Sequence, residues 1–302
     1  ADDLGYGDLG CYGQEKISTP NIDKMADNGL LFTQHYSGST VCAPSRSSLL
    51  SGQHTGHTYI RGNKGIQPEG QHPLAAEVIT FAEVLQDAGY VTGAFGKWGL
   101  GMADTEGSPN NQGFDEFFGY LCQRYAHRYY PSYLWHNDQK YWLEGNDWTT
   151  TEVYAPDVIQ EKTLEFIREN KDSSFFVYMP SLIPHAELIA PEDSLLNRYK
   201  GRFDETPWGI NNTGNPYLGS DYGDENFAVR GYAPVHHPRA TFAAMVSRLD
   251  HQVGEIIDLL NELGLSENTL VIFTSDNGPH REGGADPGFF NSNSIFRGSK
   301  RH

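Results

Sequence analysis

Apolar residues recur with the period of an α-helix in three segments of the sequence. Residues 80–89 open with the capping pattern Thr-x-x-Glu, continue with an apolar stripe and end at a glycine, so we predict a helix there. The other predicted helices are residues 157–170 and about 238–263. Continuous apolar runs predict strands at residues 90–95, 175–179 and 270–274. Helices that alternate with such strands predict the α/β class, with a mostly parallel central sheet and helices on both faces.

The predicted strands also indicate where functional side chains should lie. In open α/β sheets, ligands bind beyond the carboxyl ends of the strands. The candidate residues that follow predicted strands are Lys97, His185, Asp276 and Asn277. Asp2 and Asp3 join this group if a strand precedes them in the chain.

Two stretches, residues 120–148 and 207–237, are aromatic, polar and rich in glycine, and they carry few periodic apolar runs. We predict long loops over the sheet that line one side of a binding site or cover it as a lid. Disorder is the alternative for residues 209–226. The ring side chains of the first stretch could stack on sugar rings or form the small core of a folded loop. These residues are Tyr125, His127, Tyr129, Tyr130, Tyr133 and Trp135.

The composition limits the possible functions. The 302 residues are 38% hydrophobic and 13% aromatic, which predicts one large or two modest globular domains. The net charge of −17 argues against binding to nucleic acid or to an anionic membrane surface. We see no apolar run long enough to span a bilayer, and therefore expect no membrane span. Of the three cysteines, Cys11 and Cys122 could form one disulfide or remain free thiols.

Cys42 opens the most informative motif, the run Cys-Ala-Pro-Ser-Arg followed by a glycine at position 52. Pro44 suits the first turn of a helix that ends near Gly52, so we expect Cys42 just before a helix N-terminus. Such a terminus presents unpaired N–H groups and favours an anion, and Arg46 follows one turn later. The motif therefore predicts a nucleophile beside an oxyanion-binding site.

This run resembles the type I sulfatase family, in which the cysteine of a C-x-P-S-R motif is oxidised to Cα-formylglycine by a maturation enzyme. The resemblance implies the alkaline-phosphatase-like fold of that family. It further implies that residues 1–302 are the N-terminal part of the catalytic domain, incomplete at both ends and without a smaller C-terminal subdomain. A periplasmic or secreted location is expected on the same basis.

Asp2 and Asp3 near one end of the sequence, and Asp276 and Asn277 near the other, offer hard oxygen ligands. Oxygen ligands favour Ca²⁺ or Mg²⁺ over Zn²⁺, and the flexible coordination of Ca²⁺ suits residues gathered from distant loops. Each pair alone would be read as a turn or a helix cap. Together they match the ligand motifs of the family, which also imply that residue 42, here Cys42, lies in the coordination sphere.

The resemblance assigns further roles. It implies that Lys97 and Lys300 bind the sulfate group, that Arg46 holds the formylglycine, and that His185 contacts the ester and is a candidate acid toward the leaving oxygen. One position departs from the pattern: many family members carry a histidine where this chain has Gly99. In those members the histidine is assigned to take a proton when the sulfated intermediate breaks down. Here, either another base takes this proton, with His57 and His127 as candidates, or the intermediate breaks down by a different route.

These residues together predict a sulfuric ester hydrolase that acts on a sulfated carbohydrate or an aryl sulfate. One alternative is a phosphodiesterase or phosphonate hydrolase of the same superfamily, which would use similar metal ligands. The other is an inactive homologue that binds carbohydrate.

Overall fold

The computed structural model describes residues 1–66, 69–147, 150–210 and 232–301. The helices are α1 (Pro20–Asp27), α2 (Cys42–Ser51), α3 (Phe81–Asp87), α4 (Ala155–Glu169), α5 (Ser194–Tyr199), α6 (Pro238–Glu262) and α7 (Pro287–Phe290). The strands are β1 (Gly65–Ile66), β2 (Gly70–Gln71), β3 (Val91–Lys97), β4 (Glu116–Tyr120), β5 (Tyr133–His136), β6 (Gln139–Trp142) and β7 (Phe175–Tyr178). Short 3₁₀ segments are Tyr6–Asp8, Gly10–Tyr12, Pro109–Gln112, Tyr125–His127 and Ser266–Asn268.

The described residues divide into two compact units. The first unit comprises residues 1–40, 183–210 and 232–301, and the second comprises residues 41–66, 69–147 and 150–182. The second unit holds the central sheet, whose strand order is β6-β5-β4-β3-β7. Strand β3 is parallel to both β4 and β7, as the alternation of helices and strands predicted. The α/β class with a central sheet is confirmed.

Helices cover both faces of this sheet. Successive side chains of a strand point to opposite faces, and Ala94 and Phe95 of β3 illustrate the two environments. Ala94 belongs to a buried apolar cluster with Ala43 of α2 and Ala82 of α3. Phe95 instead packs on Phe166 of α4, with ring centroids 5.3 Å apart. The sheet is therefore buried on both sides, which explains why its parallel strands are continuously apolar in sequence.

The predicted helix at residues 80–89 forms with the predicted capping box. The Thr80 hydroxyl accepts a hydrogen bond from the N–H of Glu83 at 3.2 Å, and the Glu83 carboxylate accepts one from the N–H of Thr80 at 2.7 Å. Helices α4 and α6 also lie within two residues of their predicted bounds. These elements were predictable because local capping and the apolar period agree.

The prediction of a long loop over residues 120–148 is wrong for its central part. Residues 133–142 form the antiparallel hairpin β5-β6, which pairs with the edge of β4 and makes the sheet mixed. Tyr125, Tyr129 and Tyr133 are buried, so the alternative of a small core fits these three rings better than an exposed wall. Most of the second predicted loop, residues 211–231, lies outside the described residues.

The predicted strand at residues 270–274 is also absent from the structure. Leu270 and Ile272 are 85% and 75% exposed, and the segment has an irregular conformation. The end of this segment makes two backbone hydrogen bonds to Ala1. The Ala1 amino group donates to the Thr274 carbonyl at 2.8 Å, and the Asp276 N–H donates to the Ala1 carbonyl at 3.1 Å. An apolar run becomes a strand only where a neighbouring strand accepts its hydrogen bonds.

The first unit is organised around α6. The Asp250 carboxylate of α6 accepts hydrogen bonds from the N–H groups of Asn21 and Ile22, at 3.0 and 2.8 Å, and so caps the start of α1. The Tyr199 hydroxyl at the end of α5 lies 2.7 Å from that of Ser247 in α6. These contacts fix two short helices on a long one.

Candidate functional site

Helix α2 carries the predicted nucleophile. The helix begins at Cys42 itself, with Val41 as its N-cap, so Cys42 lies one position further into the helix than the sequence predicted. Pro44 occupies the first turn as expected, and Gly52 ends the helix with φ 63°, a left-handed conformation that favours glycine. Cys42 is buried, at 1% exposure. Its side chain therefore lies beside the N-terminal N–H groups of a helix, where negative charge is stabilised.

Two cationic residues accompany Cys42 in the second unit. Lys97 is the last residue of β3, and its Nζ lies 3.5 Å from the Cys42 Sγ. Arg46 is buried in α2 and donates through Nη1 to the backbone carbonyl of Lys97. Buried cations are costly unless an anion or polar partner compensates them. Two cations beside Cys42 would stabilise an anion bound there, so the oxyanion site stays a prediction that this geometry supports.

The predicted metal ligands come together in the first unit. Asp2 and Asp3 are fully buried, and the Asp3 N–H donates to the Asp276 Oδ1 at 3.1 Å. The Asn277 Nδ2 donates to the Asp3 Oδ1 at 2.6 Å. Residues separated by more than 270 positions in sequence are thus joined in one cluster.

Lys300 and His185 lie against the same carboxylate. The Lys300 Nζ is 2.7 Å from the Asp3 Oδ2 and 2.9 Å from the His185 Nε2, which itself lies 3.3 Å from the Asp3 Oδ2. The His185 Nδ1 contacts the carbonyl of Ala186. Because a carbonyl can only accept, Nδ1 carries a proton in this contact, while Nε2 faces Lys300 and Asp3.

The donor set of the first unit fits a divalent cation. Ligand atoms of Asp2, Asp3 and His185 lie within 4.8 Å of one another. The Asn277 Oδ1 is buried and has no hydrogen-bond partner in the part of the chain that the structure describes, whereas its Nδ2 is fully engaged. A buried amide oxygen without a partner is costly in a protein interior, and a cation would satisfy it. The carboxylate and amide oxygens are ligands that Ca²⁺ and Mg²⁺ prefer.

Asp8 joins the loop after Asp3 to the segment before Lys300. Its carboxylate accepts hydrogen bonds from the Gly5 N–H at 2.8 Å and from the Ser292 hydroxyl at 2.5 Å. Burial raises the pKa of Asp8 from 3.8 to about 7, against the opposing effect of these two hydrogen bonds. The folded protein therefore holds this proton more tightly than the unfolded chain does.

This shift predicts a pH dependence of stability. The contribution from Asp8 is fully present below about pH 4 and is lost as the pH rises to about 7. We expect the Asp8→Asn variant to show a smaller decrease in the free energy of unfolding across that interval, because an amide does not ionise. Its oxygen can still accept from the Gly5 N–H, and its NH₂ group can donate to the Ser292 hydroxyl oxygen. Urea unfolding at pH 4, 5, 6 and 7 measures the difference. The exposed Asp258→Asn variant is the control, and parallel pH curves for Asp8→Asn and the unmodified protein would contradict the prediction.

Some residues that support these groups were not predicted from the sequence. The Asn63 Oδ1 accepts a hydrogen bond from the Ala43 N–H at 3.1 Å and so caps the helix that bears Cys42. His280 stacks on His185, with ring centroids 5.8 Å apart, and its Nε2 lies 3.1 Å from the Pro184 carbonyl. Only the position of His280 shortly after Asp276 and Asn277 could have indicated it.

Comparison of the sequence with models of known protein families identifies the family of this chain. The family model described as Sulfatase matches residues 1–302. The chain belongs to the sulfatase family.

Curated relatives and solved structures of sulfatases resemble the chain along most of its length. An N-acetylgalactosamine-6-O-sulfatase of Bacteroides thetaiotaomicron is 31% identical, over 99% of this chain and 63% of its own length. The N-acetylgalactosamine-6-sulfatase of Canis lupus familiaris is also 31% identical, over 99% of this chain and 54% of its own length. The chain thus spans between half and two thirds of these relatives.

A solved structure from work on the metabolism of multiple glycosaminoglycans by Bacteroides thetaiotaomicron has the same fold. It superposes with a TM-score of 0.73 and 26% identity, covering 99% of this chain and 67% of the other. The alkaline-phosphatase-like fold implied by the sequence is therefore confirmed for this member of the sulfatase family.

The alternative bases and the two other cysteines have distinct environments in this chain. His57 is exposed and His127 is partly buried, so the identity of the base stays open. Cys11 and Cys122 are free thiols, which agrees with one of the two alternatives left open by the sequence. Within the ranges that the structure describes, no helix combines the length and apolar character needed to cross a bilayer.

Proposed function

We propose that the protein hydrolyses sulfate esters through a formylglycine made from Cys42. The approach of the Lys97 Nζ to within 3.5 Å of the Cys42 Sγ, at the first residue of a helix, supports this function most directly. In the mature residue, an oxygen of the aldehyde or its hydrate would replace the sulfur. A lysine and helix N–H groups would then surround an oxygen nucleophile and the anionic group that it attacks.

The residues of the second unit have two roles in this proposal. Arg46 and Lys97 balance the charge that gathers on the sulfate oxygens, and they offset the repulsion between an anionic nucleophile and an anionic ester. The hydrated formylglycine offers two hydroxyl groups. One attacks sulfur and displaces the alcohol; the other then loses its proton, so that sulfate leaves and the aldehyde returns. A thiol or a serine could not release sulfate in this way.

The residues of the first unit would hold the cation and assist the leaving group. We propose Asp2, Asp3, Asp276 and Asn277 as ligands, with residue 42 as a further one, and Ca²⁺ rather than Mg²⁺ as the ion. The ion would supply Lewis-acid stabilisation of negative charge. Lys300 contributes a second cation for the sulfate group. In its doubly protonated form, His185 is the proposed proton donor to the departing alcohol, through the Nε2 that faces Lys300.

A sulfated carbohydrate is the proposed substrate class. The support comes from the N-acetylgalactosamine-6-sulfatases among the relatives, each about 31% identical to this chain. The proposal implies a formylglycine-generating enzyme as a partner and, from the family resemblance, a periplasmic or secreted location. The net charge of −17 argues against nucleic acid as a ligand.

One experiment tests the function and its rivals together. The full-length protein, co-expressed with a formylglycine-generating enzyme, is assayed for release of sulfate from an aryl sulfate and from 6-sulfated N-acetylgalactosamine. Peptide mass spectrometry measures the aldehyde at position 42 in the same sample. We expect both the aldehyde and sulfate release. Faster turnover of an aryl phosphonate or phosphodiester would instead favour the superfamily alternative, and sugar binding without any turnover would favour an inactive homologue.

A further inference from the structure

Gly99 has a conformation and a neighbour that exclude a larger side chain. Its φ of 77° lies in the left-handed region, which residues other than glycine rarely adopt. A Cβ atom at this position would lie 2.4 Å from the Cγ of Gln123, 2.9 Å from its Cδ and 3.0 Å from its Nε2. The side chain of Gln123 therefore fills the space into which a side chain at position 99 would project.

The backbone fixes Gln123 beside Gly99. The parallel pairing of β3 and β4 continues past both strands, because the Trp98 N–H donates to the Tyr120 carbonyl at 2.8 Å and the Gly99 N–H to the Leu121 carbonyl at 3.0 Å. Lys97 is itself in register with Tyr120. Gln123 thus lies three residues beyond the strand partner of the lysine that contacts Cys42.

The side-chain amide of Gln123 retains hydrogen-bonding capacity although the residue is only 6% exposed. Over the described ranges, this amide makes one hydrogen bond, from Nε2 to the Gly99 carbonyl, and its length of 3.4 Å makes it weak. An amide can donate two hydrogen bonds and accept two. A nearly buried amide with this much unused capacity favours a polar ligand.

We infer that Gln123, whose side chain fills the space beside Gly99, binds the sulfate group of the substrate by donating hydrogen bonds from its Nε2 to a sulfate oxygen near Lys97. This inference rests on the proposed function, because it names a further residue of the same site. An amide donates hydrogen bonds without transferring protons near neutral pH. Gln123 would thus supply binding without acid–base chemistry.

Binding of inorganic sulfate to the mature, Ca²⁺-loaded protein tests the role directly, by isothermal titration calorimetry. We expect Gln123→Ala to weaken sulfate binding by about 10–100-fold, the effect of losing one hydrogen bond to a charged group. Gln123→Glu keeps the shape of the side chain but places an anion beside sulfate, so it should weaken binding at least as much. The control is Gln86→Ala in α3, which should bind sulfate like the unmodified protein. Unchanged affinity in both Gln123 variants would overturn the inference.

A double-mutant cycle tests the shared space without any need for activity. Gly99→Ala should lower the melting temperature in both backgrounds because of its positive φ. The loss should be roughly 2–6 °C larger when Gln123 is present than in the Gln123→Ala background, where the three clashing atoms are gone. Equal losses would show that Gln123 does not fill this space. If sulfate binding depends on Gln123 but the protein does not hydrolyse sulfate esters, the proposed function alone is contradicted. If the protein hydrolyses sulfate esters and the Gln123 variants hydrolyse them at the same rate, this inference alone is contradicted.

Discussion

Replacement of Cys42 by alanine is expected to reduce sulfate-ester hydrolysis by about 10⁵–10⁶-fold, as the loss of a nucleophile does in other hydrolases. Alanine cannot be converted to an aldehyde, and the Lys97 Nζ that lies 3.5 Å from the Cys42 Sγ then has no nucleophile to assist. The rate of aryl sulfate hydrolysis by the purified variant measures the effect.

The control for this prediction is Cys11→Ala, which removes a partly buried thiol from the first unit and should retain the activity of the unmodified protein. Circular dichroism and thermal unfolding establish that both variants are folded. A Cys42→Ala variant that keeps more than a few per cent of the activity would show that the reaction uses another nucleophile.

The second large effect is expected at Asp276. Asp276→Asn keeps an oxygen that accepts the hydrogen bond from the Asp3 N–H, observed at 3.1 Å, but removes one negative charge from the proposed ligand set. Fewer charged ligands weaken Ca²⁺ binding, so we expect affinity and activity at limiting Ca²⁺ to fall by about 100-fold. The activity and the melting temperature are measured as functions of Ca²⁺ concentration, starting from protein treated with a chelator.

Excess Ca²⁺ should restore part of the activity of Asp276→Asn, since the defect lies in binding the ion. Asp258→Asn, an exposed substitution of the same kind in α6, should leave the Ca²⁺ dependence unchanged. If chelator treatment changes neither the activity nor the melting temperature of the unmodified protein, this cluster does not bind Ca²⁺ as proposed.

The sequence predicted those elements whose signals are local. The helix at residues 80–89 has its cap, its apolar stripe and its terminal glycine within ten positions, and the structure reproduces the capping box of Thr80 and Glu83. Strand β3 follows directly and ends at Lys97, as expected for a residue of the site. Propensity, capping and period agree in this region, and such agreement makes a segment predictable.

Elements that depend on distant partners were predicted less well. The hairpin β5-β6 owes its position to pairing with β4, and its aromatic and polar residues carry little periodicity of their own. Residues 270–274 show the opposite failure. Their apolar run suggests a strand, but no neighbouring strand pairs with them among the described residues. A sequence gives the preference of a segment, whereas a sheet also requires the partner.

The residues of the candidate site likewise divide into those that a local motif predicts and those that depend on contacts in the folded chain. Cys42 and Arg46 are identified by one short motif, and Asp2, Asp3, Asp276 and Asn277 by two short motifs read through a family resemblance. The contacts of Asn63 with the Ala43 N–H and of Gln123 with Gly99 could not be predicted, since neither lies in a motif and both arise from the folded backbone. Supporting residues of this kind become visible only in three dimensions.

The burial of Cys42 sets a limit on when the residue can be modified. The proposed maturation enzyme would have to reach its side chain, which is 1% exposed once the fold has formed. Lys97, which contacts Cys42, donates its backbone N–H to the carbonyl of Pro180 just beyond β7. Since β7 leaves the ribosome about 130–140 residues after Cys42, synthesis at about 5–20 residues per second leaves roughly 7–28 s before this part of the sheet can close. The order of residues along the chain thus provides an interval in which oxidation can precede folding.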